Sequence, residues 1–582
     1  MKIKKGWIIT LIVLMVLVGV GLLMYFAVQA MVQSEPSVKD KSVLLVELTG
    51  ELPENAPSDF TLSLFEPPAL TFQQVLNNID KATTDQRITG LWLRIESPNL
   101  GWSKVEELQN KLAAFKKSNK FIYATSVVCN ERDYACALPA DKIYMPPEGF
   151  FELNGFVAQA MFLKDTFNKF GIEPEVENIG KYKSAGDMLK RNSASDAQRE
   201  VMDNILDKTV ASFNGMVTRF RKIPAEQVAA MMEAGLSHPT EAVKHKLIDG
   251  ILYPDEVEAL LREKNGEKGR DKLTTISGKS YRRVSRPAIT DGTADQIAVV
   301  YAVGTIIRGK DAYSPLMGRV MGSDSVIASL QKARQNKSVK AVVLRIDSPG
   351  GDGIASDLMW RELRITDQKK PVVASMSDVA ASGGYYIGMG CRRIVAEPST
   401  ITGSIGVVNA KFNMKGMYDW LQLRFETVKR GQWADMMDDT RGMTPAERER
   451  FAAMTRGFYD RFVQKAADSR KKKYEELEPF AQGRVWLGAE AIQHGLVDDL
   501  GGLEEAIAIA KKEAGIPANR AVRIVEYPVP KKLFEQIMES MAETQLAQVH
   551  PGLRRDLAFL GRFILPGPGA MLAVMPFALD IH

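Results

Sequence analysis

Cysteine and histidine are scarce in this chain, and their placement excludes several chemistries. The three cysteines are Cys129, Cys136 and Cys391. None forms a CxxC pair or a Cys/His cluster, so the sequence offers no zinc site, and no cofactor or other metal is expected. Cys129 and Cys136 could pair in an oxidising compartment; two buried free thiols are the alternative. The five histidines are His238, His245, His494, His550 and His582, with none between positions 246 and 493. A hydrolytic centre in that interval must therefore find its base elsewhere. A basic excess is also missing. The formal charge is +5 over 582 residues with no sustained basic face, which argues against a nucleic-acid partner.

Long apolar runs are few. Residues 7–31 contain no charge, and 8–28 are almost wholly apolar, long enough to span a bilayer. Lys2, Lys4 and Lys5 precede this run, so the N-terminus is expected in the cytoplasm and the bulk of the chain outside it. A cleaved signal peptide ending near Ala30 is the competing reading, with an unusually long apolar core for that role. Near the other end, 565–579 (LPGPGAMLAVMPFAL) is apolar but interrupted by prolines, which prevents a continuous spanning helix. That segment is left to a groove, an oligomer interface or the membrane surface.

The length calls for more than one core, and 45% hydrophobic with 25% charged residues is ordinary for globular domains. Short apolar strands alternate with amphipathic helices: 42–52, 88–95 and 121–125 are strands, while 72–81 and 105–115 have helical spacing. This order predicts an α/β fold with a largely parallel sheet.

The pattern then recurs. QIAVVYAVGTII (296–307) echoes 42–52, and KAVVLRI (340–346) echoes 90–95. Aligning RIESP (94–98) with RIDSP (345–349) fixes an offset of 251, which slips by two where EAVKH (241–245) meets EAIQH (490–494). Two tandem α/β domains follow. The expected layout is a cytoplasmic tail 1–6, an anchor 7–31, a tether 32–41 and a first domain 42–262. A linker 263–295, a second domain 296–519 and a tail 520–582 complete it. Within the linker, 279–284 reads as a short strand.

The copies differ where chemistry is expected. In the second, a buried strand hands over to a helix at Ala380-Ala381-Ser382-Gly383-Gly384, a place where free backbone N–H groups favour developing negative charge. Ser382 reads either as a nucleophile or as a helix cap. Opposite it in the first copy stands Glu131. Gly350-Gly351 after Ser348-Pro349 offers a tight turn, absent from the first copy, and with Gly383 a possible oxyanion hole. A serine needs a base, and a desolvated lysine can serve. Lys183, in GKYKSA (180–185), lies opposite Ala434. One copy keeps the lysine and the other the serine, so either the site is shared or Lys183 is a solvated surface residue. Val379, Tyr385 and 405–408 are candidate apolar walls around the amine.

The segments SPGGDG (348–353), AASGGYYI (380–387), PSTITGSIGVV (398–408), GKYKSA (180–185) and GRVWLGAEAIQHGLVDDLGG (483–502) together resemble the S49 peptidase family, in its long, duplicated, membrane-anchored form. The resemblance implies two Clp protease/crotonase-like α/β domains behind a transmembrane helix. It implies Ser382 as nucleophile, Lys183 as general base, Ser404 as support for the lysine, and Gly351 and Gly383 as oxyanion donors. It also implies homotetramers in the bacterial inner membrane, with periplasmic catalytic domains that degrade cleaved signal peptides. Other envelope substrates, acyl-CoA chemistry on a crotonase-like fold and a non-catalytic membrane scaffold are the alternatives.

Overall fold

The computed structural model describes Gly19 and residues 35–55, 70–285, 295–314, 318–528 and 572–574. The expected anchor at 7–31 therefore lies, Gly19 apart, outside the described residues. Among the described residues no helix is long and apolar enough to cross a membrane.

The first copy is built on β1 (Ser42–Glu51), α1 (Phe72–Thr84), β2 (Ile88–Asn99), α2 (Trp102–Lys116), β3 (Phe121–Ser126), α3 (Glu131–Ala137) and β4 (Lys142–Met145). β5 (Glu173–Ile179), α4 (Asp196–Arg221), β6 (Gly250–Ile251) and β7 (Thr275–Ser277) follow. Its six-stranded sheet runs β6-β4-β3-β2-β1-β7 with parallel pairing throughout. The central strands are apolar on both faces because helices cover both sides of a parallel sheet. Local signals set the boundaries: Thr71 and Gln74 form a capping box at the start of α1, satisfying two otherwise orphaned N–H groups.

The second copy repeats this order. It comprises β8 (Gln296–Val303), β9 (Thr305–Ile307), α5 (Ser323–Gln335), β10 (Val339–Ser348), β11 (Gly350–Asp352), α6 (Gly353–Asp367), β12 (Val372–Ala381) and α7 (Gly383–Gly388). Next come β13 (Arg393–Ala396), β14 (Ile401–Gly403), β15 (Val407–Asn413), α8 (Pro445–Arg470), β16 (Val485–Leu487), β17 (Arg523–Tyr527) and β18 (Leu572–Val574). Its main sheet is ordered β16-β14-β12-β10-β8-β17, with β13 also on β12. The repeat extends to the caps: α4 and α8 begin at Ser195 and Thr444 and end at left-handed Lys222 and Lys471.

Residues 263–285, expected as linker, carry secondary structure. β7 pairs with β1, and 279–284, read from sequence as a strand, forms the end of the short helix Gly278–Tyr281 and the turn after it. Ser277 caps that helix by accepting the Ser280 N–H, which stops the strand before Tyr281 buries its ring. Beyond 519, β17 adds to the edge of the second sheet through β8.

Charge ties the copies together. Arg345 of β10 is fully buried; its Nε and Nη2 donate to Glu54 at 3.0 Å each, and Nη2 also donates to Glu107 of α2 at 2.6 Å. Asp378 of β12 accepts the N–H groups of Gly101 and Lys104 at 3.1 Å, so a carboxylate of the second copy caps a helix of the first. A side chain at Gly101 would collide with that carboxylate, its Cβ lying 2.1 Å from Asp378 Cγ.

A third sheet crosses between the copies. It runs from the ribbon Ala312–Ser314 and Gly318–Gly322 through β9, β11, β18 and β15 to β5. β5 belongs to the first copy and β15 to the second. They pair antiparallel from Glu173 opposite Asn413 to Ile179 opposite Val407.

Candidate active site

The β5–β15 ladder delivers the lysine. Four residues after Ile179 the chain turns inward, and Lys183 is fully buried. The turn is held by the Lys183 N–H donating to Gly180 O at 3.1 Å and the Tyr182 N–H donating to Gln482 O at 2.9 Å. Gly180 sits at φ +111°, and a Cβ there would come within 2.4 Å of the Gln482 backbone. Only glycine fits that approach without displacing the loop.

Lys183 Nζ lies 2.8 Å from Ser382 Oγ, 2.9 Å from Ser404 Oγ and 3.1 Å from Ser404 O. Burial drives its pKa well below the ordinary lysine value, with no neighbouring carboxylate to restore the charge. A neutral amine has two N–H donors and one lone pair. The two oxygens of Ser404 can take the N–H groups, which leaves the lone pair for the Ser382 hydroxyl proton.

Ser382 joins β12 to α7 at φ 56° and ψ −111°, a strained conformation for a residue with a side chain. The strain is held by its N–H donating to Gly403 O at 2.8 Å and by its carbonyl accepting the Tyr386 N–H at 2.8 Å. The sharp turn faces Oγ toward Lys183 while α7 begins directly behind it. Gly383 packs so tightly that a Cβ would lie 3.1 Å from both Gly351 N and Gly350 Cα. The amides of Gly351 and Gly383 therefore belong to one small region beside Ser382. Gly351, at φ +157°, would place a Cβ 2.1 Å from Ile306 O, so that strand crossing admits no side chain.

All five residues singled out in the sequence, Lys183, Ser382, Ser404, Gly351 and Gly383, fall in this one region. Of the candidate walls, Val379 packs with Tyr182 and Val485 next to the lysine loop, and Val408 packs with Ala185. Tyr385 instead turns its hydroxyl to the carbonyl of Leu496, 3.0 Å away. Two positioning glycines went unassigned. A Cβ on Gly483 would stand 2.4 Å from Lys183 Cβ, and one on Gly406 3.0 Å from Lys183 Cδ. Together they make the channel for the lysine stem. The adjacent Arg484 carbonyl accepts the Ser404 N–H at 2.7 Å.

The equivalent place in the first copy is filled. Glu131 is buried, and its Oε1 accepts the N–H groups of Asn154 and Gly155 at 2.6 and 2.8 Å. A carboxylate thus staples the loop where the second copy keeps a hydroxyl. The three cysteines are free and buried. Among the described residues no cluster of His, Cys, Asp and Glu could hold a metal ion.

Known proteins resemble this chain over both copies or one of them. The family model "Peptidase family S49" matches residues 114–268 and again 364–517. "Serine protease SPPA, chloroplastic" of Arabidopsis thaliana is 39% identical over 509 residues, covering 87% of this chain and 74% of that protein. "Protease 4" of Salmonella typhi is 29% identical over 566 residues, covering 94% of this chain and 89% of its own. "Putative signal peptide peptidase SppA" of Enterococcus faecium is 29% identical over 268 residues, covering 45% of this chain and 78% of that protein. Matched once in each copy, the chain belongs to peptidase family S49 and is a serine protease.

Proposed function

We propose that Lys183 and Ser382 form a Ser–Lys dyad, and that the protein is a membrane-anchored endopeptidase degrading signal peptides after their release from preproteins. The observation that carries the dyad is the 2.8 Å approach of a buried, charge-isolated amine to the strained serine. Neutral Lys183 takes the hydroxyl proton as Ser382 Oγ attacks the peptide carbonyl. The Gly351 and Gly383 amides receive the oxyanion, and the lysine ammonium returns its proton to the leaving amine. A water deprotonated by the same lysine then hydrolyses the acyl-enzyme. Ser404 holds Nζ throughout.

The apolar run at 8–28 supports a bilayer anchor, with the catalytic copies on the periplasmic side of a bacterial inner membrane. Anchoring raises the enzyme's local concentration around apolar peptides in the same bilayer. The named relatives point to the same substrate class. Assembly into a homo-oligomer, a tetramer by the family resemblance, has support in the repeat itself. β15 pairs with β5 within one chain, but the quasi-equivalent segments, 156–162 and 424–430, form no strand. Around them Val157, Phe170, Trp420, Phe425 and Val428 are exposed. Head-to-tail association of copies would complete that pairing and close a ring.

The test is direct. Ser382→Ala and Lys183→Ala should each lower kcat on an apolar peptide by about 10⁴-fold with unchanged circular dichroism. A serine-directed phosphonate should label Ser382 alone. A well-folded Lys183→Ala protein with near-native turnover would sink the dyad. Failure to label, with retained acyl-CoA turnover, would move the protein to the other reading of its fold.

A further inference from the structure

Arg484 touches the lysine's cradle twice. Its backbone carbonyl accepts the Ser404 N–H at 2.7 Å, and Ser404 in turn offers two oxygens to Lys183 Nζ. Its guanidinium lies over the ring of Tyr182, the residue just before the lysine, with Cζ 4.7 Å from the ring centre. One residue therefore meets both the loop that carries the amine and the strand end that receives it.

The guanidinium is mostly buried and held on three sides. Trp486 supplies a second ring, its centre 4.6 Å from Cζ, and Glu200 of α4 accepts from Nη1. Tyr182 Oη donates to the same carboxylate at 3.2 Å. The buried Nε finds no acceptor among the described residues, so stacking between the rings does much of the holding. Trp486 is itself fixed: its Nε1 donates to Phe480 O at 2.8 Å, and the His494 ring centre lies 4.3 Å from its own. Glu200 belongs to the first copy and Arg484 to the second, so this clasp closes only when the copies dock.

The first copy has no such clasp. In the register that sets His245 opposite His494, Gly235 stands where Arg484 is and Ser237 where Trp486 is. The arginine and its tryptophan occur in the copy that keeps Ser382 and are missing where Glu131 stands instead. A device that merely closed this turn would serve both copies alike; this one is confined to the side that meets a lysine.

We propose that Arg484 is a positioning residue for the general base: its guanidinium, seated between Tyr182 and Trp486 and fastened to Glu200, holds the Lys183 loop against Ser404 and so sets the approach of Nζ to Ser382. The proposal deepens the dyad reading and rests on it. Loosening the clasp lets Nζ drift from its acceptors and admits water, which returns a lysine toward its ordinary pKa. Both effects slow proton transfer and neither touches the peptide, so kcat suffers and KM does not.

The experiment compares two variants of the full chain. Arg484→Lys keeps the positive charge but not the flat fork that stacks between two rings. Its kcat on an apolar peptide should fall about tenfold, with KM within about twofold of wild type. The acid limb of its kcat/KM profile should move up by about half a pH unit, a shift that loss of charge cannot explain. Arg484→Ala should lose about 100-fold in kcat and leave an open slot between the rings. Guanidinium chloride at about 50 mM should recover about tenfold of that loss, while equal sodium chloride recovers nothing and wild type gains nothing. Thermal unfolding gives the folded fraction by which each rate is divided; if Arg484→Ala does not fold, Arg484→Lys decides. An acid limb unmoved in Arg484→Lys, or a folded Arg484→Ala protein that guanidinium does not rescue, overturns the proposal and leaves the dyad standing. A flat acid limb in wild type overturns the dyad and the proposal with it.

Discussion

Ile179 stands opposite Val407, and through that register the first copy of the fold hands its lysine to the second. The ladder ends at this pair. Gly180 then turns against Gln482, and Lys183 enters a channel between Gly406 and Gly483. Precision in the site therefore depends on backbone contacts between segments more than 200 residues apart in sequence, formed only when both copies are folded and docked.

Gly483 should be intolerant of any side chain. It sits at φ +76°, and its Cβ would meet Lys183 Cβ, Cα and N at 2.4–2.6 Å. Backbone must move to accept it, and the lysine moves with the backbone. Gly483→Ala is expected to cut kcat by at least tenfold, since small misplacements of a catalytic group are costly. Peptide turnover alongside thermal unfolding checks this: activity should fall far more than the folded fraction.

Lys183 burdens the fold it serves. Unfolded, it holds its proton up to about pH 10.4; folded, burial releases the proton at lower pH. Between those two values the unfolded chain binds more protons, so stability rises with pH, by up to about 1.4 kcal/mol per pH unit. Lys183→Met should abolish activity and remove that rise. Urea unfolding of both proteins across pH 7–10 tests the slope. Wild-type kcat/KM should also climb with pH on its acid side as the amine becomes neutral. A flat acid limb would argue against lysine as the base.

The duplication made the meeting of Lys183 and Ser382 legible, because a lysine and a serine at non-equivalent places in two copies are informative where either alone is not. The α/β alternation was legible for the same reason that strands buried on both faces read as apolar runs. Three things were not. The short helix at Gly278–Tyr281 hides behind strand-like residues because a serine cap decides it. Gly406 and Gly483 carry no signal of their own, since their role is to leave room for a side chain far away in sequence. The seat of Leu572–Val574 is invisible because prolines break the pattern on both sides, and its partners on β11 and β15 lie more than 150 residues earlier.

Glu397 and Glu106 face a cavity of about 310 Å³ between the copies, lined also by Met216, Arg219 and Pro398. Burial raises Glu397 to about 8, aided by the nearby Glu107 and Glu106 charges, and burial raises Glu106 to about 7 against its hydrogen bonds from Ser399. A carboxyl raised on folding contributes stability that is complete below its unfolded pKa, near 4.5, and is lost as pH rises through its folded value. The loss for Glu397 therefore spans about pH 4.5 to 8. Glu397→Gln should leave Tm unchanged near pH 4 and raise it at pH 8, which differential scanning calorimetry at the two pH values would resolve.

Arg345 supplies the last test, because it decides whether the interface between copies is held by charge or by shape. It is fully buried, and burial opposes its charge, yet Glu107 and Glu54 outweigh that and keep it protonated. Burial likewise pushes Glu54 up, but Arg345 and Lys104 hold it near 2. Every polar edge of the guanidinium is used: two bonds to Glu54, one to Glu107, and one each to Ser375 and Ser377 at 2.9 and 3.0 Å. Arg345→Met removes the cation, leaving Glu107 buried without its charge partner and Glu54 with Lys104 alone, a change that costs about 3–5 kcal/mol. Adding Glu54→Gln and Glu107→Gln removes the stranded charges, and most of the loss should return. Denaturant unfolding of the single and triple variants measures both steps. Activity should follow, since misdocking the copies parts Lys183 from Ser382. A single variant that unfolds like wild type would show that apolar packing alone positions the two halves of the site.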